Sequence, residues 1–184
     1  MNKRIIALLV LCLALLGGCS KSVDTSLKEQ TTYEVGDILD FGDHNWIVLD
    51  KENDELLLIS EDIYECKVFD QDSNEWEDSD IKAYLNDEFL NNNFSLEKQE
   101  GMSDKGYGKV FLLSYEEAEE YFEDDASRIA KYRGQPYSWY LRSPGYTSDH
   151  VMRVGVAGRI TENGEGITEE RGIRPAIWID RSVL

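Results

Sequence analysis

The sequence predicts an α+β fold: a single domain of short, mostly antiparallel strands with two main helices. Three observations carry this reading. Short apolar runs of strand length recur along the chain, either alternating with polar residues or unbroken. Only two longer segments combine helical spacing with an N-terminal cap. The intervening turns are short and rich in Gly, Asn and Asp, so successive strands fold back and pair antiparallel.

The chain opens with a different kind of segment. Lys3 and Arg4 precede an unbroken apolar run from Ile5 to Leu16, too short to span a bilayer but suited to the core of an export signal. It ends in Leu16-Gly17-Gly18-Cys19, which resembles a bacterial lipobox. Small side chains let a peptidase reach the bond before Cys19, whose thiol then accepts a diacylglyceryl group. Residues 1–18 are therefore expected to be a signal peptide. Cys19 is the expected lipidated residue, and 19–32 a polar tether for a domain over 33–184. The expected location is the cell membrane, lipid-anchored and facing outside the cytoplasm, with palmitate-type chains giving stable attachment.

Within the domain, Asp37–Phe41, His44–Asp50 and Glu55–Ser60 read as strands, with turns at Gly42-Asp43 and Glu52-Asn53-Asp54. The continuous run Leu56–Ile59 predicts a strand buried on both faces. An acidic loop, Asp70–Asp78, follows. Asp78 or Ser79 caps a helix to about Leu90, with Ile81, Tyr84, Leu85, Glu88 and Phe89 at helical spacing, and Asn91-Asn92-Asn93 stops it. Phe94–Glu100 adds one helical turn, Gly101–Gly108 is a loop and Val110–Leu113 a strand. Ser114-x-x-Glu117 is a capping box opening a helix to about Phe122. Ser138–Arg142, Val151–Val156, Arg159-Ile160 and Ile173–Ile179 complete about seven strands.

Charge limits the partners. The chain carries 37 acidic and 19 basic side chains, a formal charge of −18, and loss of Lys3 and Arg4 with the signal makes it more negative. Such a surface repels nucleic acid and anionic lipid, so no nucleic-acid partner is expected. Of three cysteines, Cys12 leaves with the signal and Cys19 takes lipid. Cys66 then stands alone, without a disulfide partner or the makings of a Cys-based zinc site.

Several phrases occur in order: Trp46-Ile-Val-Leu-Asp50 with Leu56-Leu-Leu-Ile-Ser60; Trp76-Glu-Asp-Ser79 with Tyr84-Leu-Asn86 and Phe89-Leu90; Val110-Phe-Leu-Leu-Ser114 with Glu117-Ala118; Trp139-Tyr-Leu-Arg-Ser-Pro-Gly145; and Gly172-Ile-Arg-Pro-Ala-Ile-Trp178. Together, over about Tyr33 to Asp180, they resemble the bacterial domain-of-unknown-function 6273 family. The resemblance implies a surface or secreted location and supplies no reaction. The C-terminal phrases are also similar to C-type-lectin-like folds of the formylglycine-generating-enzyme branch. That branch relies on paired cysteines, which this chain lacks, so its oxidase activity is not implied.

The residues point to binding more than to catalysis. The two histidines, His44 and His150, are far in sequence from Cys66, whose flanks resemble no nucleophile loop. The G-x-S-x-G, H-E-x-x-H and phosphate-loop patterns are not found. Asp70-x-Asp72-x-Asn74-x-Trp76-x-Asp78 spaces oxygens like a calcium loop, but Glu75 stands at the turn glycine and Ile81 at the bidentate acid. No metal and no cofactor are therefore expected. Trp139, Arg142, Ser143, Tyr146, Asp149, His150 and Arg174 form the candidate ligand-binding set. Arg142 and Arg174 lie in apolar strands and have a second reading, as buried ion pairs. Tyr146, Asp149 and His150, on the loop after Pro144, offer stacking and hydrogen bonds. The expected function is a lipid-anchored, non-enzymatic binding protein for glycan or protein at the envelope. The alternatives are a hydrolase using scattered carboxylates or His150, and a structural envelope component without a soluble ligand.

Overall fold

The computed structural model describes residues 32–184. The expected signal peptide, Cys19 and all of the tether but Thr32 lie outside the described residues. Strand β1 (Ile38–Phe41) turns at Gly42 into β2 (His44–Glu52), and β3 (Glu55–Ser60) returns after Asn53. Gly42 has φ +69°, and a Cβ there would lie 2.7 Å from the carbonyl oxygen of Asn93, so both conformation and space select glycine. The β2–β3 register slips between Val48 and Asp50. That bulge re-aims the strand, and consecutive Val48 and Leu49 are both buried.

Two sheets share one continuous core. In the first, the order is β1-β2-β3-β13-β5, with β5 (Met102–Ser103) and β6 (Val110–Phe111) both pairing with β13 (Ala176–Asp180). Its central strands are the most apolar: Leu56–Ile59 and Ala176–Ile179 are all buried, as the unbroken run at 56–59 predicts. The second sheet runs β11-β10-β9-β12-β4, made of β11 (Ile160–Gly166), β10 (His150–Val154), β9 (Trp139–Pro144), β12 (Arg171–Ile173) and β4 (Glu65–Lys67). A separate hairpin joins β7 (Ala130–Tyr132) to β8 (Gln135–Tyr137) through Arg133 and Gly134, both at positive φ. All pairings are antiparallel except β9 with β12, which meet at Trp139 and Gly172. The strand-rich α+β class is as expected.

The helices follow their caps. Ser79 accepts a hydrogen bond from the Lys82 amide and starts α1 (Asp80–Tyr84), which continues through a π-helical turn (Leu85–Phe89) into α2 (Leu90–Asn93). In that turn the Asn86 amide donates to the carbonyls of Lys82 and Val110 and accepts from the Val110 amide. It thus takes a carbonyl of its own helix while tying that helix to β6. Next come α3 (Leu96–Glu100) and α4 (Tyr115–Glu120), the latter opened by the expected capping box between Ser114 and Glu117.

Several elements differ from expectation. The terminal segment Ile173–Ile179 is two strands in different sheets, broken at Arg174-Pro175. Pro175 has no amide to donate and restricts Arg174, so a ladder cannot run through the pair. The long helix passes Leu90 and ends at Asn93, whose side chain bonds the Phe89 carbonyl. Strands β4, β5, β7 and β8 carry too little apolar periodicity to be read from sequence, so the described residues form thirteen strands and not about seven. Among the described residues no helix is long and apolar enough to cross a membrane.

Candidate functional site

The loop between β9 and β10 is built by its backbone. The Gly145 amide donates to the His150 carbonyl, the His150 amide to Thr147 and the Tyr146 amide to Asn163. Buried Asn74, in the acidic segment, donates its side-chain amide to the carbonyls of Thr147 (3.0 Å) and His150 (2.7 Å). A far segment therefore fixes the loop, and the calcium-like spacing that includes Asn74 gave no sign of this role. On this base Tyr146 stands 85% exposed, beside a depression of about 410 Å³ that Thr147, His150, Asn163 and Gly164 also line.

Asp149, Thr147 and His150 form one hydrogen-bonded triangle. Thr147 Oγ1 lies 2.6 Å from Asp149 Oδ1 and 2.8 Å from His150 Nδ1, and that nitrogen lies 2.9 Å from the same carboxylate oxygen. The hydrogen bonds from Thr147 and His150 hold the Asp149 carboxyl down to about 2. A hydroxyl–histidine–carboxylate relay needs the hydroxyl and the acid on opposite ring nitrogens. Here both meet Nδ1, so the triangle orders the loop and leaves Thr147 without a base.

The other candidates face inward. Trp139 is fully buried and donates Nε1 to the Arg128 carbonyl at 3.1 Å. Tyr140 and Leu141 are equally buried, so β9 is covered on both faces. Ser143 Oγ accepts from the Tyr115 amide at 2.8 Å, supporting the first turn of α4. Arg142 makes a bidentate pair with Glu117, at 2.5 and 2.7 Å, and donates to the Leu112 carbonyl at 2.7 Å. Its guanidinium also lies 4.2 Å from the Tyr107 ring centre. Arg174 is 1% exposed, donates to the carbonyls of Ser60 and Glu61, and sits 5.2 Å from the Trp139 ring and 5.4 Å from Phe122. Burial pulls its guanidinium down to about 10, still charged at neutral pH. Of the seven candidates, the structure brings Tyr146, Asp149 and His150 together at the surface and places Trp139, Arg142, Ser143 and Arg174 in supporting contacts.

A second depression, of about 410 Å³, opens where β2 begins and β3 ends. His44, Tyr64 and Phe89 form its aromatic side, with Tyr64 edge-on to His44 (5.0 Å) and to Phe89 (4.7 Å). His44 Nε2 is held 2.8 Å from Asn93 Oδ1. Asn45, Glu61 and Asp62 supply the polar side, and Asn45 donates to Glu61 at 3.0 Å. Apart from Phe89, in the π-helical turn, these residues lie in turns and strand ends, and only their convergence in space reveals the cleft.

The calcium-like loop is used internally. Asp70 is buried and accepts the amides of Asp72, Ser73 and Asp80 at 2.7, 2.9 and 2.9 Å. Burial pushes its carboxyl up, but these amides outweigh burial and hold it below the usual range. Trp76 and Asn74 are buried as well, so the segment is not the fully solvated loop its charge suggests. Among the described residues, no three His, Cys, Asp or Glu side chains gather as a metal would need. Cys66 is half-buried, and burial, with Glu170 nearby, pushes its thiol up and away from the reactive thiolate.

Fold and surface together define a strand-rich α+β domain with open depressions that combine aromatic and polar side chains. The chain belongs to the family described as Domain of unknown function (DUF6273), whose model matches residues 53–181. The matched stretch begins at the β2–β3 turn, so the phrase Trp46–Asp50 lies ahead of it. No curated protein and no solved structure matches the chain.

Proposed function

We propose that the chain is a lipid-anchored, extracytoplasmic binding protein that recognises glycan at the bacterial envelope. The cleft between His44, Tyr64, Asn45 and Glu61 carries this reading. A sugar ring presents an apolar C–H face and an edge of hydroxyls. Aromatic rings accept the first, and planar amide and carboxylate groups pair with the second. A volume of about 410 Å³ suits one or two sugar rings better than a protein surface, which leaves an envelope protein as the lesser partner. The anchor rests on the apolar run ending at Leu16-Gly17-Gly18-Cys19. A C-type-lectin-like origin for the C-terminal half rests on the Trp139–Gly145 and Gly172–Trp178 phrases.

A glycan array probed with the purified protein tests the binding. Asn45 is exposed, so Asn45→Ala leaves the fold intact, and with Glu61→Gln it is expected to lose the array signal. A blank array, or a signal indifferent to both substitutions, refutes the glycan reading. For the anchor, Cys19→Ala is expected to abolish palmitate labelling and release the protein from membranes; retained label refutes it.

A further inference from the structure

We propose that a groove on the second sheet, away from the aromatic cleft, is a separate site for a short acidic oligosaccharide. The groove has a volume of about 580 Å³ and is lined by Arg153, Arg159, Arg171, Glu165, Tyr137 and Thr161, among others. Three guanidinium groups line it with one carboxylate, Glu165, and Glu169 lies 4.0 Å from Arg171 at its side, in a chain whose acidic side chains outnumber the basic ones 37 to 19. A local excess of positive charge against such a background is a selective feature.

Two of the three arginines are paired and the third is not. Glu165 bridges two of them, with Oε2 2.5 Å from Arg153 Nε and Oε1 2.9 Å from a terminal nitrogen of Arg171. Both carboxylate oxygens are thus occupied, and the two guanidinium groups are fixed beside each other. The Arg153 contact is not an aligned hydrogen bond, and its buried Nε has no acceptor of good geometry. Arg159 is exposed and makes neither an ion pair nor a side-chain hydrogen bond among the described residues. Planar guanidinium forks match the oxygens of carboxylate and phosphate alike. An oxyanion in the groove would give Arg159 the acceptor it lacks, beside the Arg153 and Arg171 pair that Glu165 holds in place.

The lining selects the carrier of that oxyanion. The half-buried Tyr137 ring and the Thr161 hydroxyl suit a sugar's C–H face and its hydroxyls. The chain's net charge of −18 repels a bilayer of anionic lipid or a long polyanion, so the ligand is short.

Calorimetric titration of the full chain tests the proposal with four probes. These are trigalacturonate, maltotriose phosphate, unmodified maltotriose and triglutamate. One or both acidic sugars are expected to bind, and which one does assigns the oxyanion as carboxylate or phosphate. Arg159→Gln is expected to weaken that binding about tenfold, the size of one charge-assisted hydrogen bond. Glu165→Gln should tighten it, because the two guanidinium groups lose their internal competitor; a merely structural role for Glu165 predicts no gain. Asn45→Ala in the other cleft should leave it unchanged, which separates this site from the glycan reading above. The proposal is overturned if neither acidic sugar binds, if maltotriose or triglutamate binds as tightly, if both groove substitutions leave affinity unchanged in folded protein, or if Asn45→Ala abolishes it.

Discussion

Removing Arg142 tests how α4 is locked to the second sheet. The guanidinium and the Glu117 carboxylate are 14% and 18% exposed, so the pair lies well towards the buried limit. Arg142→Ala deletes the bidentate bonds to Glu117, the bond to Leu112 and the packing on Tyr107. It also strands a carboxylate that keeps only local donors, among them the Ser114 amide at 2.9 Å. An exposed pair would cost 0 to about 1 kcal/mol, and a broken buried pair about 3 to 5. The geometry places Arg142→Ala near 3 kcal/mol, about the lower end of the buried range. Glu117→Ala should cost about the same, since it loses half of the capping box as well as the pair. With both removed no charge is stranded, so the double variant should fall short of the sum by about 2 kcal/mol. Urea unfolding of the four proteins measures this, provided the slopes agree. Coupling below about 0.5 kcal/mol, the level of independent sites, would refute the lock and free Arg142 as a ligand contact.

Two further predictions concern the other charged candidates. Arg174→Ala should cost about 4 kcal/mol, whereas Arg174→Met, which fills the space without a charge, should cost less than half as much. Equal midpoints for the two variants in denaturant would show that charge and hydrogen bonds, not packing, decide this site. For Asp149, the folded carboxyl sits at about 2, below its ordinary 3.8, so its stabilisation of the loop is complete above the ordinary value and lost as pH falls through about 2. A carboxyl carbon titration should show that midpoint, and Thr147→Val should move it towards 3.8. An unchanged midpoint would count against the triangle.

The sequence made legible whatever rests on local periodicity or local chemistry. The first three strands were readable because Leu56–Ile59 is unbroken and the turns carry Gly42 and Asn53, both at positive φ in the structure. The capping box at Ser114 and the Ser79 cap were readable because a cap needs only residues within one turn. What escaped depends on distance. Strands β5 and β4 are two and three residues long and exist because β13 and β12 present open edges to them. The role of Asn74 depends on a loop more than seventy residues away. The aromatic cleft joins His44, Tyr64 and Phe89 from three separate segments, and no spacing rule connects them. The candidate ligand set shows the same division: an exposed loop could be recognised from its small residues, but Trp139 and Ser143 could not be told from surface groups without their partners.

Arg174 shows how a residue selected for binding serves the site indirectly. It stands where the chain leaves the second sheet, and Pro175 begins the crossing into the first. The Ser60 amide donates to the Pro175 carbonyl, while Arg174 donates to the carbonyls of Ser60 and Glu61. Ser60, Glu61 and Pro175 all line the aromatic cleft. The buried guanidinium therefore ties the end of β3 to the junction of the sheets and fixes the backbone from which Glu61 reaches Asn45. Its two rings are Trp139, from the second sheet, and Phe122, from the segment after α4, so the same cation braces the cleft against the rest of the domain. Charge at this position is retained at the cost of burial because no apolar side chain could bond both carbonyls at once. Arg174 never meets solvent, yet the shape of the cleft depends on it.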